Sequence, residues 1–405
     1  MNASVALKHE ELLNNQQFVD PIGADDMVFS TTSDIASLQR IWRNLEQRSV
    51  AHVFQTWAWV SNWHSHIGQA RGITPHIIVA SSPDGTLRAL LPMGIETRAG
   101  LRTLVWLGDE HADFKGPVID QSLLAGLTTD ATKKLFDTAF RLTRGIDAVK
   151  LVDMPTLLND ALHPLLVYPS QLAPAGSHSL TINNTFDALY KARRGSSSRK
   201  KLRQRSRRLA EAAGPTKFKV ARTPQARSEA ISVLIEQKRA RLAEMGAGDI
   251  FASSNVRAFY RTLAEQHPEI CQLSTFQAGD DIVAANWGLT WGSRYYYVLS
   301  TMTDGEYRTY SPGQLHLNEL IEWSTIRGFD VFDFTVGDED YKDDWCDTST
   351  DLFDVYFGLT IKGRALAWGQ AKTRAAKRFI KQSPRLWSVA KRLRKRLYDY
   401  RTHTA

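Results

Sequence analysis

Asp281-Ile282-Val283-Ala284-Ala285-Asn286-Trp287, then Tyr295-Tyr296-Tyr297-Val298-Leu299, then Ser311-Pro312-Gly313, then Val331-Phe332-Asp333-Phe334 are the stretches that decide the fold. Their alternation predicts two half-buried strands, Asp281 to Trp291 and Arg294 to Thr301, split by a tight turn at Gly292-Ser293. Pro312-Gly313 lets the backbone turn sharply and approach a ligand closely. Leu315, Leu317, Leu320, Ile321 and Trp323 then give a helix running to Arg327 its buried face. The first turn of that helix would direct free N–H groups and the positive end of its dipole at whatever lies before Ser311 and Gly313, which suits a pyrophosphate. The same turn also serves as a plain loop-to-helix connection. A short strand over 331–334 and the segment Gly337-Asp338-Glu339-Asp340-Tyr341-Lys342 complete the unit.

Working outward, the first half reads as strand (Met27 to Ser30), helix (Asp34 to Arg48), helix (Trp57 to His66) and strands at Thr74 to Ala80, Leu87 to Thr97 and Leu101 to Leu107. A helix from about Gln121 to Arg144 and a strand Val149 to Val152 follow. Asp34 ahead of Ile35, Leu38, Ile41 and Leu45 is a helix N-cap in the right place, and Ser82-Pro83-Asp84-Gly85 is a hairpin turn. The fold class expected is α/β, an α+β mixed sheet repeated in two domains. The division is 1–26 flexible N-terminus, 27–190 first domain, 191–361 second domain and 362–405 basic helical tail.

A chain of 405 residues, 43% hydrophobic and 10% aromatic, has ample material for two cores and excludes disordered or collagen-like classes. Residues 1–21 are polar, without the apolar core of a signal peptide, and no apolar run reaches the roughly 20 residues that span a bilayer. Cys271 and Cys346 lie far apart, with no metal-ligand spacing around them. No metal is expected, and a reducing cytoplasm is the expected home.

Strand, strand, Gly-opened helix, strand is the order of the acyl-CoA-binding half of a GNAT acyltransferase. The whole segment resembles the GNAT-like family associated with exopolysaccharide and cellulose biosynthesis, whose pattern has a Ser-Pro-Gly helix start and a terminal Gly-x-Glu-x-Tyr-Lys, here Gly337 to Lys342. GNAT enzymes generally carry Arg/Gln-x-x-Gly-x-Gly/Ala at this helix. This chain has Arg308-Thr309-Tyr310-Ser311-Pro312-Gly313, with Ser in place of the first Gly. Phe54-Gln55-Thr56-Trp57-Ala58-Trp59 with Trp63, Lys115-Gly116-Pro117-Val118-Ile119-Asp120, and Lys150-Leu151-Val152-Asp153 resemble the first half of the Fem-type aminoacyl transferases, which are two GNAT-like domains in tandem. Together the resemblance spans roughly residues 28 to 360.

Three constellations could carry chemistry. Asp109-Glu110-His111-Ala112-Asp113 and Asp153 lie at strand ends, where a carboxylate or imidazole can take a proton from an attacking amine or hydroxyl, or simply anchor a loop. The resemblance implies acceptor contact for Asp153 and a polar site at His111 and Asp113. In the second, Tyr341 can protonate a departing thiolate and Lys342 can neutralise phosphate or oxyanion charge, unless the acidic loop around them is only solvated. With Arg308, Ser311, Pro312, Gly313 and Gln314, Lys342 forms the cofactor-binding set that the resemblance implies. The third is Arg193 to Arg208, nine Lys/Arg and no acid, read as a linker followed by a helix from near Ser198. Arg199 and Lys201 then sit at a helix N-terminus suited to an anion, although a solvated face explains them too. Trp59, Tyr296 and Glu339 join them as the acceptor-side residues that the resemblance implies.

Residues 362–405 hold 14 Lys/Arg and one acid, Asp399, so they carry +13 against −5 for the rest of a chain whose net charge is +8. Leu386, Ala390, Leu393, Leu397 and Tyr400 fall on one helical stripe ringed by Lys391, Arg392, Arg394, Lys395 and Arg396, with Trp387 as an interfacial anchor. An anionic inner-membrane surface, packing onto the catalytic domain, and a cyclic dinucleotide all fit this pattern. Nucleic acid is the weakest partner, since no recognised DNA or RNA module appears.

The function expected is acyl transfer, with acetyl-CoA as co-substrate, to an amine or hydroxyl of a saccharide precursor or a nucleotide- or lipid-linked sugar. Tyr341 would act as acid and Asp153 or Asp113 as base or positioner. Neither cysteine lies in a nucleophile setting, so direct transfer is expected. An aminoacyl-tRNA donor of the Fem type is the alternative within the enzyme class. A membrane-associated binding module that has kept the fold without catalysis is the alternative outside it.

Overall fold

The computed structural model describes residues 27–158, 161–337, 339–383, 385–390 and 392. The polar segment 1–26 and the tail residues Leu393, Leu397 and Tyr400 of the expected stripe lie outside the described residues.

In chain order the strands are β1 (Val28–Thr32), β2 (Ser49–Val50), β3 (Thr74–Ser81), β4 (Leu87–Arg98), β5 (Leu101–Trp106), β6 (Val118–Asp120), β7 (Ala148–Pro155), β8 (Leu157–Leu158) and β9 (Ala161–Leu162). They continue with β10 (Ser170–Leu172), β11 (Ser177–Thr181), β12 (Thr216–Val220), β13 (Cys271–Ala278), β14 (Asp281–Trp291), β15 (Arg294–Met302), β16 (Val331–Val336), β17 (Thr348–Thr350) and β18 (Leu352–Gly358). The helices are α1 (Gln39–Glu46), α2 (Trp57–Trp63), α3 (Gln121–Gly126), α4 (Thr129–Arg141), α5 (Phe186–Arg193), α6 (Ser196–Ala213), α7 (Pro224–Glu244), α8 (Ser254–Gln266), α9 (Pro312–Ile326), α10 (Asp340–Asp343) and α11 (Ile361–Gln382).

Among the described residues there are two large mixed sheets. The first runs β1-β3-β4-β5-β7-β18-β10, with β6 and then β2 branching from β4; the second runs β12-β13-β14-β15-β16-β11-β17. Each contains one parallel pair, β5 with β7 and β15 with β16, among antiparallel neighbours. The sheets do not part at the chain positions 190 and 361. β11, from the first half of the chain, is inserted between β16 and β17, and β18, from the end of the second half, is inserted between β7 and β10. Each lobe thus lends one strand to the other. The two passing segments touch where Ala173 N–H donates to the Leu352 carbonyl at 2.8 Å and Gly337 N–H to the Gly176 carbonyl at 3.0 Å. A Cβ on Gly176 would stand 3.2 Å from the Thr350 carbonyl oxygen, so glycine suits the crossing.

One core serves both lobes. Trp59 and Phe54 of the first meet Phe259, Trp287 and Tyr296 of the second, with ring centroids 5.0 Å apart for Trp59–Phe259 and 5.7 Å for Phe54–Tyr296. Aromatic edges packed in this way contribute beyond the area they bury.

The expected helix from Gln121 to Arg144 is two helices. Leu127 is extended, and the Thr128 hydroxyl caps α4 by accepting from Ala131 N–H at 3.2 Å. Asp34 does accept from the Ala36 and Ser37 amides, at 3.0 and 3.1 Å, but it closes a turn, and α1 begins only at Gln39. The basic helix starts at Ser196 behind Gly195, two residues before the expected Ser198.

Candidate active site

β15 and β16 pair only from Arg294–Tyr296 to Val331–Asp333. Beyond that point they diverge, β15 running on to Met302 and β16 to Val336, where it is held on its other side by β11. Past that point a cavity of about 360 Å³ lies against β15. Tyr297, Thr301 and Met302 of β15 form one wall, Gly313 and Gln314 in the first turn of α9 another, and Lys238, Arg241 and Met245 of α7 with its end a third. Arg194, Leu202, Tyr341 and Trp345 close it.

Ser311 sits at the N-cap of α9 with left-handed backbone angles (φ 56°, ψ 55°), a conformation that a non-glycine residue adopts at some cost and that aims the chain straight into Pro312 at the first helical position. The helix therefore opens onto the cavity although Ser replaces the expected glycine. Gln314 accepts from Arg205 of α6 at 3.3 Å. The basic run is thus packed through Leu202 and Leu209 beside α9, with Arg194 in the cavity wall. Arg199 donates to the Arg194 carbonyl at 3.1 Å, and Lys201 is exposed.

The other expected donor-side residues hold the rim. Arg308 is ion-paired with Glu244 at 2.6 Å and does not line the cavity. Lys342, only 3% exposed, turns inward: its ammonium donates to the Thr335 and Gly337 carbonyls at 3.3 and 3.0 Å and pairs with the exposed Glu339 at 2.9 Å. It fastens the loop that carries Tyr341. The Tyr341 ring packs on Phe334 and lines the cavity, and burial raises its phenol well above the ordinary tyrosine range, so it stays protonated at neutral pH. Burial also pushes the thiols of Cys271 and Cys346 up to about 12, which leaves neither as a thiolate nucleophile.

On β16, Phe332 and Phe334 pack beneath α9, so Asp333 between them faces the first lobe. There Asp333 is paired with Arg294 at 2.7 Å. Asp113 approaches the same face. Burial pushes its carboxyl up to about 6, against the opposing pull of the Thr335 hydrogen bond and the Lys115 and Lys342 charges. Nearby, the Tyr296 hydroxyl shares a 3.0 Å hydrogen bond with His52 Nδ1, and burial lowers that imidazole well below its usual range. His111 accepts from Trp63 Nε1 at 3.4 Å, and burial lowers it to about 4, so it is neutral.

Asp153 lies in the first lobe, at a positive φ of 56° in β7. Burial alone would raise its carboxyl, but Lys115 at 3.1 Å and the guanidinium of Arg374, reaching in from α11, hold it at about 2. A carboxylate so held is a weak base and a firm anchor. Trp59 is wholly buried in the shared core, with no surface for a ligand. Lys238, Arg241 and Met302 are cavity residues that the sequence did not single out, and Arg194 joins them from the basic run. The cluster Lys238, Arg239 and Arg241 near the end of α7 was the signal available. No cluster of metal-ligating side chains occurs among the described residues.

Residues 196–343 match the family described as the acetyltransferase (GNAT) domain. Comparison with curated proteins gives no match. Among solved structures the chain is similar to FemX, with a TM-score of 0.54 at 12% identity over 80% of this chain and 96% of that one. It is similar also to the C-terminal domain (DUF2156) of a putative lysylphosphatidylglycerol synthetase from Agrobacterium fabrum, with a TM-score of 0.50 at 10% identity over 84% and 97%. A conserved protein of unknown function from Bacteroides thetaiotaomicron gives 0.50 at 11% identity over 81% and 99%. Identities this low speak for fold alone. The fold is GNAT-like, and the segment from 196 to 343 that builds most of the cavity matches an acetyltransferase (GNAT) domain.

Proposed function

We propose that the protein is an acyl-CoA-dependent acyltransferase that moves an acetyl group directly onto an amine or hydroxyl of a saccharide acceptor. One observation carries the reading: beyond the short parallel pairing of β15 with β16, a cavity against β15 has the first turn of α9 as one wall and a protonated phenol in its lining. The amides at Gly313 and Gln314, with Arg194, Arg205 and Arg241 around them, suit the phosphates of a coenzyme A thioester. In this reading Tyr341 gives its proton to the leaving thiolate. Asp113, on the first-lobe side of β16, is a carboxylate whose raised affinity for a proton suits taking one from the acceptor near neutral pH. An acceptor entering from the first lobe would meet it there.

Titration calorimetry with acetyl-CoA and CoA on wild type and Gly313→Trp tests the donor half. A Cβ at Gly313 has Met302 Sδ at 3.4 Å, so a small side chain fits, whereas an indole must fill the cavity. Micromolar binding lost in the variant is expected. No heat from folded wild type would overturn the reading and leave the aminoacyl donor and the non-catalytic module.

A further inference from the structure

α11 has two unlike sides. Its rear is fastened to the first sheet: Gly363 and Ala367 are buried, Arg374 reaches Asp153 and Asp354, Arg378 donates to the Ala173 carbonyl at 2.6 Å, and Gln171 donates to the Ala371 carbonyl at 3.1 Å. Its front carries Ile361, Trp368 and Phe379 at 86%, 67% and 68% exposure. Ile361 and Phe379 are eighteen residues apart, five whole turns, and Trp368 and Lys372 fall on the line between them, so all four share one stripe roughly 27 Å long. Single exposed apolar side chains are ordinary, but three large ones in line on a helix already anchored from behind are not. Residues 362–382 contain seven Lys/Arg and no Asp or Glu.

The charge pattern selects the partner. A protein groove that buried the Trp368–Phe379 line would have to bury Lys372 as well, since its ammonium stands 5.9 Å from the Trp368 ring. At a lipid surface the same lysine lets its stem lie among the acyl chains while its head stays at the phosphates. With no acid on the helix, anionic headgroups are favoured over neutral ones. We propose that α11 is a membrane-surface helix that seats the protein on anionic lipid through Ile361, Trp368 and Phe379. Among the described residues no helix is long and apolar enough to cross a membrane, so the contact lies in the interface. This places the contact one helix earlier than the stripe expected at 386–400, and it does not depend on the acyltransferase reading.

Co-sedimentation of the full chain with vesicles of phosphatidylcholine, alone or with about 30% phosphatidylglycerol, tests it. Binding at least about tenfold tighter to the anionic vesicles is expected, weakening as salt shortens the Debye length to about 3 Å. Trp368→Ser with Phe379→Ser should lower that binding about tenfold while circular dichroism and melting temperature stay as in wild type. Equal binding to both vesicle types, binding to neither, or full binding by the double variant would overturn the proposal. So would a wild-type dimer that the double variant converts to monomer, since a second copy would then cover the stripe.

Discussion

Replacing Asp113 by Asn should make the protein more stable and less active at once. The carboxyl of Asp113 is raised from 3.8 to about 6, chiefly by burial at the lobe junction. Between those values the native state binds a proton that the unfolded chain has released, so stability falls as pH rises through that window. The full cost is present above about pH 6 and absent below the unfolded value. About two pKa units at 1.36 kcal/mol each give an upper bound of about 3 kcal/mol, to be discounted because Asp113 is only half-buried. Asn has nearly the same shape and no charge to desolvate. Urea unfolding of wild type and Asp113→Asn at acid and alkaline pH should therefore show curves that coincide near pH 4 and a variant more stable by about 1–3 kcal/mol near pH 8. Acyl transfer by the variant should fall by about 10²–10⁴-fold, and the wild-type rate should rise with pH through about 6. A variant that is less stable at pH 8 would refute the argument, since Asp113 would then be an anchor whose charge is needed by Lys115 and Lys342.

Gly363→Ala should destabilise, although Gly-to-Ala inside a helix usually stabilises by about 1 kcal/mol. The added Cβ would stand 1.7 Å from the Asp147 carbonyl oxygen, so α11 must lift from the sheet, and limited proteolysis after Thr360 should accelerate. Arg374→Ala leaves Asp153 and the fully buried Asp354 without their shared cation, a loss of about 3–5 kcal/mol in thermal or urea unfolding. Asp153 is depressed to about 2, so the stability it supplies is present at neutral pH and lost as pH falls toward that value; the gap between the proteins should close over the same range. Lys342→Met keeps the side-chain length but leaves the Thr335 and Gly337 carbonyls unpaired, for about 1–3 kcal/mol, and should lower kcat more than the affinity for acetyl-CoA because it loosens the loop of Tyr341.

The second lobe's central strands and α9 were legible because their signals are local. The period-two run at 281–301 and Pro312-Gly313 each act through neighbours in the chain, and β14, β15 and α9 stand where those residues put them. The strand exchange was not legible, because β11 and β18 are short segments that the sequence reading did not mark as strands, and nothing in their own residues says which sheet they complete. Side-chain direction was equally hidden. Lys342 follows a glutamate and a tyrosine in a polar loop, and only the bend at Gly337, with φ at 132°, turns its ammonium back onto carbonyls rather than toward a ligand. The basic run announces a helix that wants an anion. Which lobe that helix leans on depends on Leu202 and Leu209 meeting Leu315 and Phe276, contacts more than sixty residues distant.

The two lobes repeat one topology and use it differently. In each, a parallel pair holds for three residues and then diverges, and a lysine 3% exposed stands by the strand that leaves: Lys115 beside β7, Lys342 beside β16. In the first lobe the divergence is tied by charge. Asp153 is gripped by Lys115 and by Arg374 of a helix that crosses the outer strands, and Asp354 on the exchanged strand β18 takes the other side of that guanidinium. In the second, Lys342 is held by backbone carbonyls and Glu339, α9 packs over both β15 and β16, and the cavity beside β15 is lined by Tyr341 and by the first turn of α9. Buried ion pairs are a weak source of net stability but a strong constraint on geometry, because breaking one strands a charge. The paired carboxylates of the first lobe therefore fix where β18 lies, and β18, with β11 exchanged the other way, fixes the angle between the lobes. Asp113 is left at their junction, where burial outweighs the charges of Lys115 and Lys342.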